Sequence, residues 1–259
     1  MAGIESSSFF AAFLLAALAA ASFLTCLPFN KKQIFTAAEV FTFLYLVAMT
    51  VSLAARTAQS GHAPMANRFE SLACFAWSLG FVYWYVRIRY NEKRVGYFIM
   101  PLAVLVMFAA NMSPKDITPM TPALDTWMFE THVASAFVGY AFFGASFSGA
   151  VLYLVDKGHA ERTLERLIFR AGYYGFALFT ISMVIGGIWA YLAWGTYWLW
   201  KIKELWSFLI WIYYAGFLHA LYVKKLRGRG VAWLSILGFA ITMFTYLGVG
   251  VMMKSTHQL

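Results

Sequence analysis

One run of tryptophans and five histidines are the residues whose chemistry stands out in this 259-residue chain. Residues 186–219 read GGIWAYLAWGTYWLWKIKELWSFLIWIYYAGFLH and contain Trp189, Trp194, Trp198, Trp200, Trp206 and Trp211. An aromatic belt at the headgroup level accounts for about two or three of these. It does not account for Trp194, Gly195, Tyr197, Trp198 and Trp200 packed so closely together. If the stretch is helical, Trp194 and Trp198 share a face at i, i+4 with Tyr197 beside them, and the aromatic row stops at Lys201 and Ile202. Gly195 admits a close approach of backbone or ligand. A broad aromatic shelf at a membrane surface suits a large planar ligand.

His132 and His257 flank this run in sequence, His132 at the outer start of an apolar span and His257 in the outer tail after the last one. Two imidazoles on opposite faces of a flat apolar cofactor would make a six-coordinate haem. His219 lies within an apolar span, where a histidine is a functional candidate, with helix–helix hydrogen bonding as the plainer role. His62 and His159 read as loop residues. Cys26 and Cys74 are isolated, with no CxxC or CxxCH, so neither a structural zinc site nor self-attached c-type haem is encoded. Glycine-rich phosphate loops are absent.

The elements that must position these residues are membrane spans. The chain is 62% hydrophobic and 12% charged, about half the charge of a soluble domain, which excludes a soluble enzyme and a disulfide scaffold. Its +9 charge reads as loop anchoring on a membrane, with no nucleic-acid partner. Apolar runs predict an all-α polytopic protein of about eight helices, 8–28, 34–55, 70–90, 95–112, 129–155, 172–193, 205–223 and 232–253, forming one transmembrane domain over 1–259. The longest expected connections are 56–69, 113–128 and 156–171. The first span reads as retained, because MAGIESS carries Glu5 and no basic n-region. Glu39 falls inside the second span and needs a partner group or water. Glu70 and Glu130 read as helix caps. Gly139, Gly144, Ser148 and Gly149 predict close packing of span five.

Basic residues orient the bundle. Lys31, Lys32, Arg87, Arg89, Lys93, Arg94, Lys157, Arg162, Arg166, Arg170, Lys224, Lys225, Arg227 and Arg229 fall on one side, 14 of the 20. Arg56, Arg68, Lys115, Lys201, Lys203 and Lys254 fall on the other. The positive-inside rule makes the first side cytoplasmic. Both termini and the Trp-rich loop, about 189–206, then face outward.

Residues 186–219 resemble the tryptophan-rich run of the CcsA/ResC branch of system II cytochrome c assembly proteins, roughly G-x-x-W-A-x-x-A-W-G-x-Y-W-x-W-D-P-K-E-x-W followed by a span ending in L-H. Gly186, Trp189, Ala190, Ala193, Trp194, Gly195, Tyr197, Trp198, Trp200, Lys203, Glu204, Trp206, Leu218 and His219 match. Residues 61–77, GHAPMANRFESLACFAW, resemble the family's outer-loop run through Pro64, Asn67, Glu70, Ser71, Phe75 and Trp77. The WMFETHV opening before span five and the tail ending at His257 complete a likeness over most of 61–259.

The resemblance implies a bacterial inner-membrane protein of cytochrome c biogenesis that carries non-covalent b-type haem outward and presents it to the CxxCH of an apocytochrome c. It implies His132 and His257 as external haem ligands, Trp194, Trp198 and Trp200 as the porphyrin shelf with Gly195 and Tyr197, and His219 as one ligand of a transmembrane haem site. The second transmembrane ligand would come from a CcsB/ResB-like subunit, and membrane lipid surrounds the rest. Where the family has Asp-Pro, this chain has Lys201-Ile202, a swing of two charges in a turn expected to loosen without proline. Lys201 would pair with a haem propionate or an acidic partner. The alternatives are a haem-holding subunit of an electron-transfer complex without synthase activity, and an unrelated transporter with a Trp belt.

Overall fold

The computed structural model describes residues 2–29, 31–117, 119–155 and 161–248. Within them the chain forms eight α-helices: α1 (Ala2–Phe29), α2 (Lys32–Ser60), α3 (Arg68–Tyr90), α4 (Gly96–Asn111), α5 (Trp127–Val155), α6 (Glu161–Trp194), α7 (Ile202–Tyr222) and α8 (Arg229–Met243), the last continued by a π-turn over Phe244–Gly248. Seven of the apolar segments are long and apolar enough to cross a membrane. The exception, α3, is 23 residues long but rich in Tyr and Trp and flanked by Arg68, Glu70, Arg87 and Arg89. It sits inside the bundle, against α2, α4 and α5, so it does not need a lipid-compatible surface. The fold is that of an all-α polytopic membrane protein.

Several helices run further than their apolar cores. Residues 161–171, expected in a connection, form the first three turns of α6, and 56–60 complete α2. Arg162, Arg166 and Arg170 recur every four residues along one exposed face, a helical pattern that polar residues hide from a search for apolar runs. His159 lies outside the described residues.

α5 packs most extensively on α6. The contact repeats every seven residues in antiparallel register. His132 meets Ser182, Gly139 meets Gly175, and Ser146 donates to the Ile168 carbonyl at 2.9 Å. A Cβ on Gly139 would stand 3.1 Å from the Gly175 carbonyl oxygen, and one on Gly175 would stand 3.0 Å from that of Gly139. Small residues therefore set the helix separation, as expected for span five. A strict seven-residue repeat also keeps one seam facing the partner helix over several turns. Ser146 shares a further 2.8 Å hydrogen bond with Ser235 of α8, which ties the third helix to the seam.

A buried ion cluster locks the other half of the bundle. Arg56, 3% exposed at the end of α2, donates Nε to Glu70 at 2.8 Å and Nη1 to Glu5 at 3.3 Å. Its remaining donors reach the carbonyls of Lys115 and Asp116 at 2.8 and 3.2 Å. α1, α2, α3 and the segment after α4 thus share one guanidinium. Glu70 also caps locally: its amide donates to Asn67 Oδ1 at 2.9 Å, and its Oε2 accepts the Ala66 amide at 2.8 Å. At the opposite end Glu39 pairs with Arg87 of α3, the partner its place in a span demands. Cys26 and Cys74 are both free thiols.

Replacing Arg56 with Met leaves Glu5 and Glu70 buried without a counter-charge. Unfolding in detergent micelles is expected to show a loss of about 3–5 kcal/mol. Arg56→Lys should recover only part of this, since an ammonium cannot reach all four acceptors.

Candidate functional site

The α5–α6 seam ends at His132. Its Nδ1 lies 2.7 Å from the Ser182 carbonyl oxygen and 3.0 Å from Ser182 Oγ. Ser182 Oγ in turn donates to the His132 carbonyl at 2.8 Å. A carbonyl oxygen can only accept, so Nδ1 carries the proton and Nε2 keeps its lone pair in the neutral ring. This is the arrangement that orients metal-ligating histidines. The ring fits because position 186 has no side chain: a Cβ there would stand 2.5 Å from Nδ1.

Trp189 covers the imidazole, nearly parallel to it at 21° with centroids 6.3 Å apart. It is 8% exposed, packs against Phe129, and donates Nε1 to the Ala123 carbonyl at 2.6 Å. Trp194 meets it edge-on at 4.8 Å, and the Lys201 ammonium lies 5.9 Å from the Trp194 ring centroid. His132, Trp189, Trp194 and Lys201 are therefore one contiguous group.

The remaining aromatics are arranged otherwise than a continuous helix would place them. α6 stops at Trp194, because Gly195 takes φ +74° and its amide closes on the Tyr191 carbonyl at 2.8 Å. Trp194 and Trp198 therefore do not form an i, i+4 row, and residues 195–201 run as an irregular loop. Tyr197 stacks back on Tyr191 at 4.4 Å. Trp198 contacts Trp200 and Phe208 on the α7 side. Trp200, at φ +56°, is 70% exposed, and Tyr197 is 60% exposed. The turn expected to loosen without proline is tied: the Leu199 amide donates to Glu204 Oε2 at 2.7 Å.

Trp206 and Trp211 serve the packing. Trp206 lies on Phe244 at 4.9 Å, and Trp211 donates to Thr180 at 3.0 Å. Glu130 accepts the Ala63 amide at 3.1 Å, so it fastens the 61–67 loop to α5 rather than capping its own helix. His62 in that loop holds Nδ1 2.9 Å from the Ala63 carbonyl oxygen. His219 is exposed in the last turn of α7, and no hydrogen bond of its ring is found among the described residues. It lies about 25 Å along α7 from the Trp-rich end. His257 lies outside the described residues.

Ser182 is the site residue that sequence reasoning misses. It acts through a main-chain oxygen, which has no residue signature. Gly186 and Trp189 were visible only as parts of the aromatic run.

The model of the cytochrome c assembly protein family matches residues 65–257. Among individual relatives, the cytochrome c biogenesis protein CcsA of Guillardia theta is 30% identical, over 90% of this chain and 88% of that protein. CcsA of Prochlorococcus marinus (strain MIT 9312) is 29% identical over 88% of this chain and 86% of its own length. CcsA of Chlamydomonas reinhardtii is 31% identical over 81% of this chain and 64% of its own length. Among solved structures, cytochrome c heme lyase CcmF superposes with a TM-score of 0.76 at 18% identity. The superposition covers 94% of this chain and 46% of that longer one, and it shows a shared fold.

Gly186→Ala should push the imidazole off the Ser182 carbonyl. Nitrogen NMR of labelled histidine is expected to show a uniform Nδ1–H tautomer for His132 in the parent and mixed tautomers in the variant. The accompanying loss of stability is about 1–3 kcal/mol from overpacking.

Proposed function

This chain is an integral membrane member of the cytochrome c assembly protein family acting in cytochrome c biogenesis, and on that premise we propose that it brings haem to the outer face and presents it for covalent attachment to apocytochrome c. The observation that carries this reading is His132: a histidine with its Nδ1 proton committed to a backbone carbonyl, the lone pair left on its Nε2, and an aromatic cluster built around it.

In this reading the bundle acts as one transmembrane domain, and the end bearing the Trp-rich loop faces away from the cytoplasm across a bacterial inner membrane. His132 and His257 would hold a b-type haem non-covalently through their ring nitrogens. Trp194, Trp198, Trp200 and Tyr197 supply exposed aromatic surface for the porphyrin, and Gly195 turns the chain between them. Lys201, an ammonium beside Trp194, faces the propionates or an acidic partner. His219 serves a second haem site within the membrane. Its exposure on α7 supports a ligand pair completed by a CcsB-like subunit rather than from inside this bundle.

Bound haem supplies the vinyl groups, across each of which one cysteine S–H adds to form a thioether without net oxidation. The protein's part is to hold the ring, fix its ligands and keep the vinyl edge open; no residue of the chain is assigned as acid or base. Lys201, standing where the family has an acid, favours one second reading, a haem-holding electron-transfer subunit without synthase activity.

Purified from a haem-replete host, the protein is expected to show a bis-histidine b-type spectrum that His132→Ala and His257→Ala each abolish. Absence of haem under all conditions overturns both readings. Co-expression with a CcsB-like partner and a CxxCH reporter is expected to yield covalent haem, whereas bound haem without maturation selects the electron-transfer reading. Lys201→Asp should raise the yield of matured reporter if the loop charge limits activity.

A further inference from the structure

At the end of the bundle opposite the Trp-rich loop, α6, α7 and the start of α8 enclose an open cavity of about 470 Å³. Arg162, Arg166, Lys225 and Arg227 line it. One carboxylate, Glu165, shares the lining, and it already accepts the Gly228 amide at 2.7 Å. None of the four cations is ion-paired among the described residues. The remaining wall is apolar and aromatic, including Phe169, Leu221, Tyr222 and Val231.

The cavity is a built feature. Phe169 and Tyr222 meet edge-on at 5.1 Å. The loop after α7 is pinned by the Leu226 amide on the Ala220 carbonyl at 3.0 Å and by Arg227 on the Leu221 carbonyl at 3.2 Å. Lys225 takes φ +52° in that loop.

Its depth in the membrane follows from helix length. α7 has 21 residues, about 31 Å, which is one bilayer core. Its last residue, Tyr222, therefore reaches the interface, with Lys225 and Arg227 just beyond it. α6 has 34 residues, about 51 Å, so with Trp189 and Trp194 at one interface its first turns pass into the headgroup layer at the other. A concave site with a net excess of three positive charges, apolar on its membrane side and set at headgroup depth, matches an anion that carries a hydrocarbon body.

We propose that this cavity binds the phosphate headgroup of an anionic phospholipid, with Arg162, Arg166, Lys225 and Arg227 on the phosphate and Phe169, Leu221 and Tyr222 against the first acyl carbons. The site is separate from the His132 end and does not depend on the haem reading.

The full chain, purified in a neutral detergent, is titrated with cardiolipin, phosphatidylglycerol, phosphatidylcholine and inorganic phosphate. Thermal unfolding and native mass spectrometry report binding. Both anionic lipids are expected to bind and raise the unfolding temperature, cardiolipin at the lower concentration, with no such effect of phosphatidylcholine. Arg162→Gln/Arg166→Gln should weaken cardiolipin binding about thirtyfold, and Arg162→Lys/Arg166→Lys should restore most of it. Lys225→Gln, alone on the loop, should weaken it several-fold should the double variant not fold. Equal binding of phosphatidylcholine, or cardiolipin binding unchanged in the Gln variants, overturns the proposal. Phosphate alone reproducing the shift would replace the lipid with a soluble anion. A haem titration that displaces cardiolipin in proportion would assign the cavity to haem propionates instead.

Discussion

The distance between α5 and α6 is the constraint on which the rest of the molecule depends. At Gly139 and Gly175 each backbone occupies the space that a neighbouring methyl group would need. That approach, repeated in steps of seven residues, brings the Ser182 carbonyl within 2.7 Å of an imidazole at one end. About four turns from that end, the same register brings Ser146 to the Ile168 carbonyl and to Ser235. In a hydrocarbon surround, apolar side chains gain little by leaving lipid, so close backbone packing and satisfied polar groups must hold the helices together. The seam supplies both.

The Arg56 cluster plays the corresponding part for α1, α2 and α3, and it lies at the same end of the bundle as the Trp-rich loop. Connecting segments there are fastened by charge and by amide hydrogen bonds: Arg56 on Lys115 and Asp116, Glu130 on Ala63, Glu204 on Leu199. The exposed rings of Tyr197 and Trp200 therefore project from an anchored rim. In the proposed reading, a rigid seam with an aromatic surface on an adjoining loop separates two tasks, fixing one ring nitrogen and offering area to a porphyrin.

Much of the architecture was legible in the apolar runs, which placed all eight helices in order. The runs failed where helices leave the hydrocarbon. The first turns of α6 carry Arg162, Glu165, Arg166 and Arg170, and their helical recurrence lies in charge rather than in apolarity. In sequence Arg56 falls with the outer-loop basic residues although it is buried, because a single arginine carries no mark of its partners, Glu5 and Glu70, which are 51 and 14 residues away. The Trp-rich run points to the neighbourhood of His132 but not to its geometry. Gly195 admits close approach in sequence terms, and in the structure its left-handed conformation also ends α6, so Trp198 and Trp200 leave the helix that carries Trp194.

The atom that sets the proton on His132 belongs to the main chain. No codon specifies the Ser182 carbonyl, and every residue placed there would present the same oxygen. Drift at position 182 can therefore alter the hydroxyl but not the acceptor. What must be preserved is the separation of two helices, set by glycines two turns away. The electronic character of this imidazole is thus inherited from the bundle as a whole, and the positions most able to corrupt it are small residues that never touch the ring.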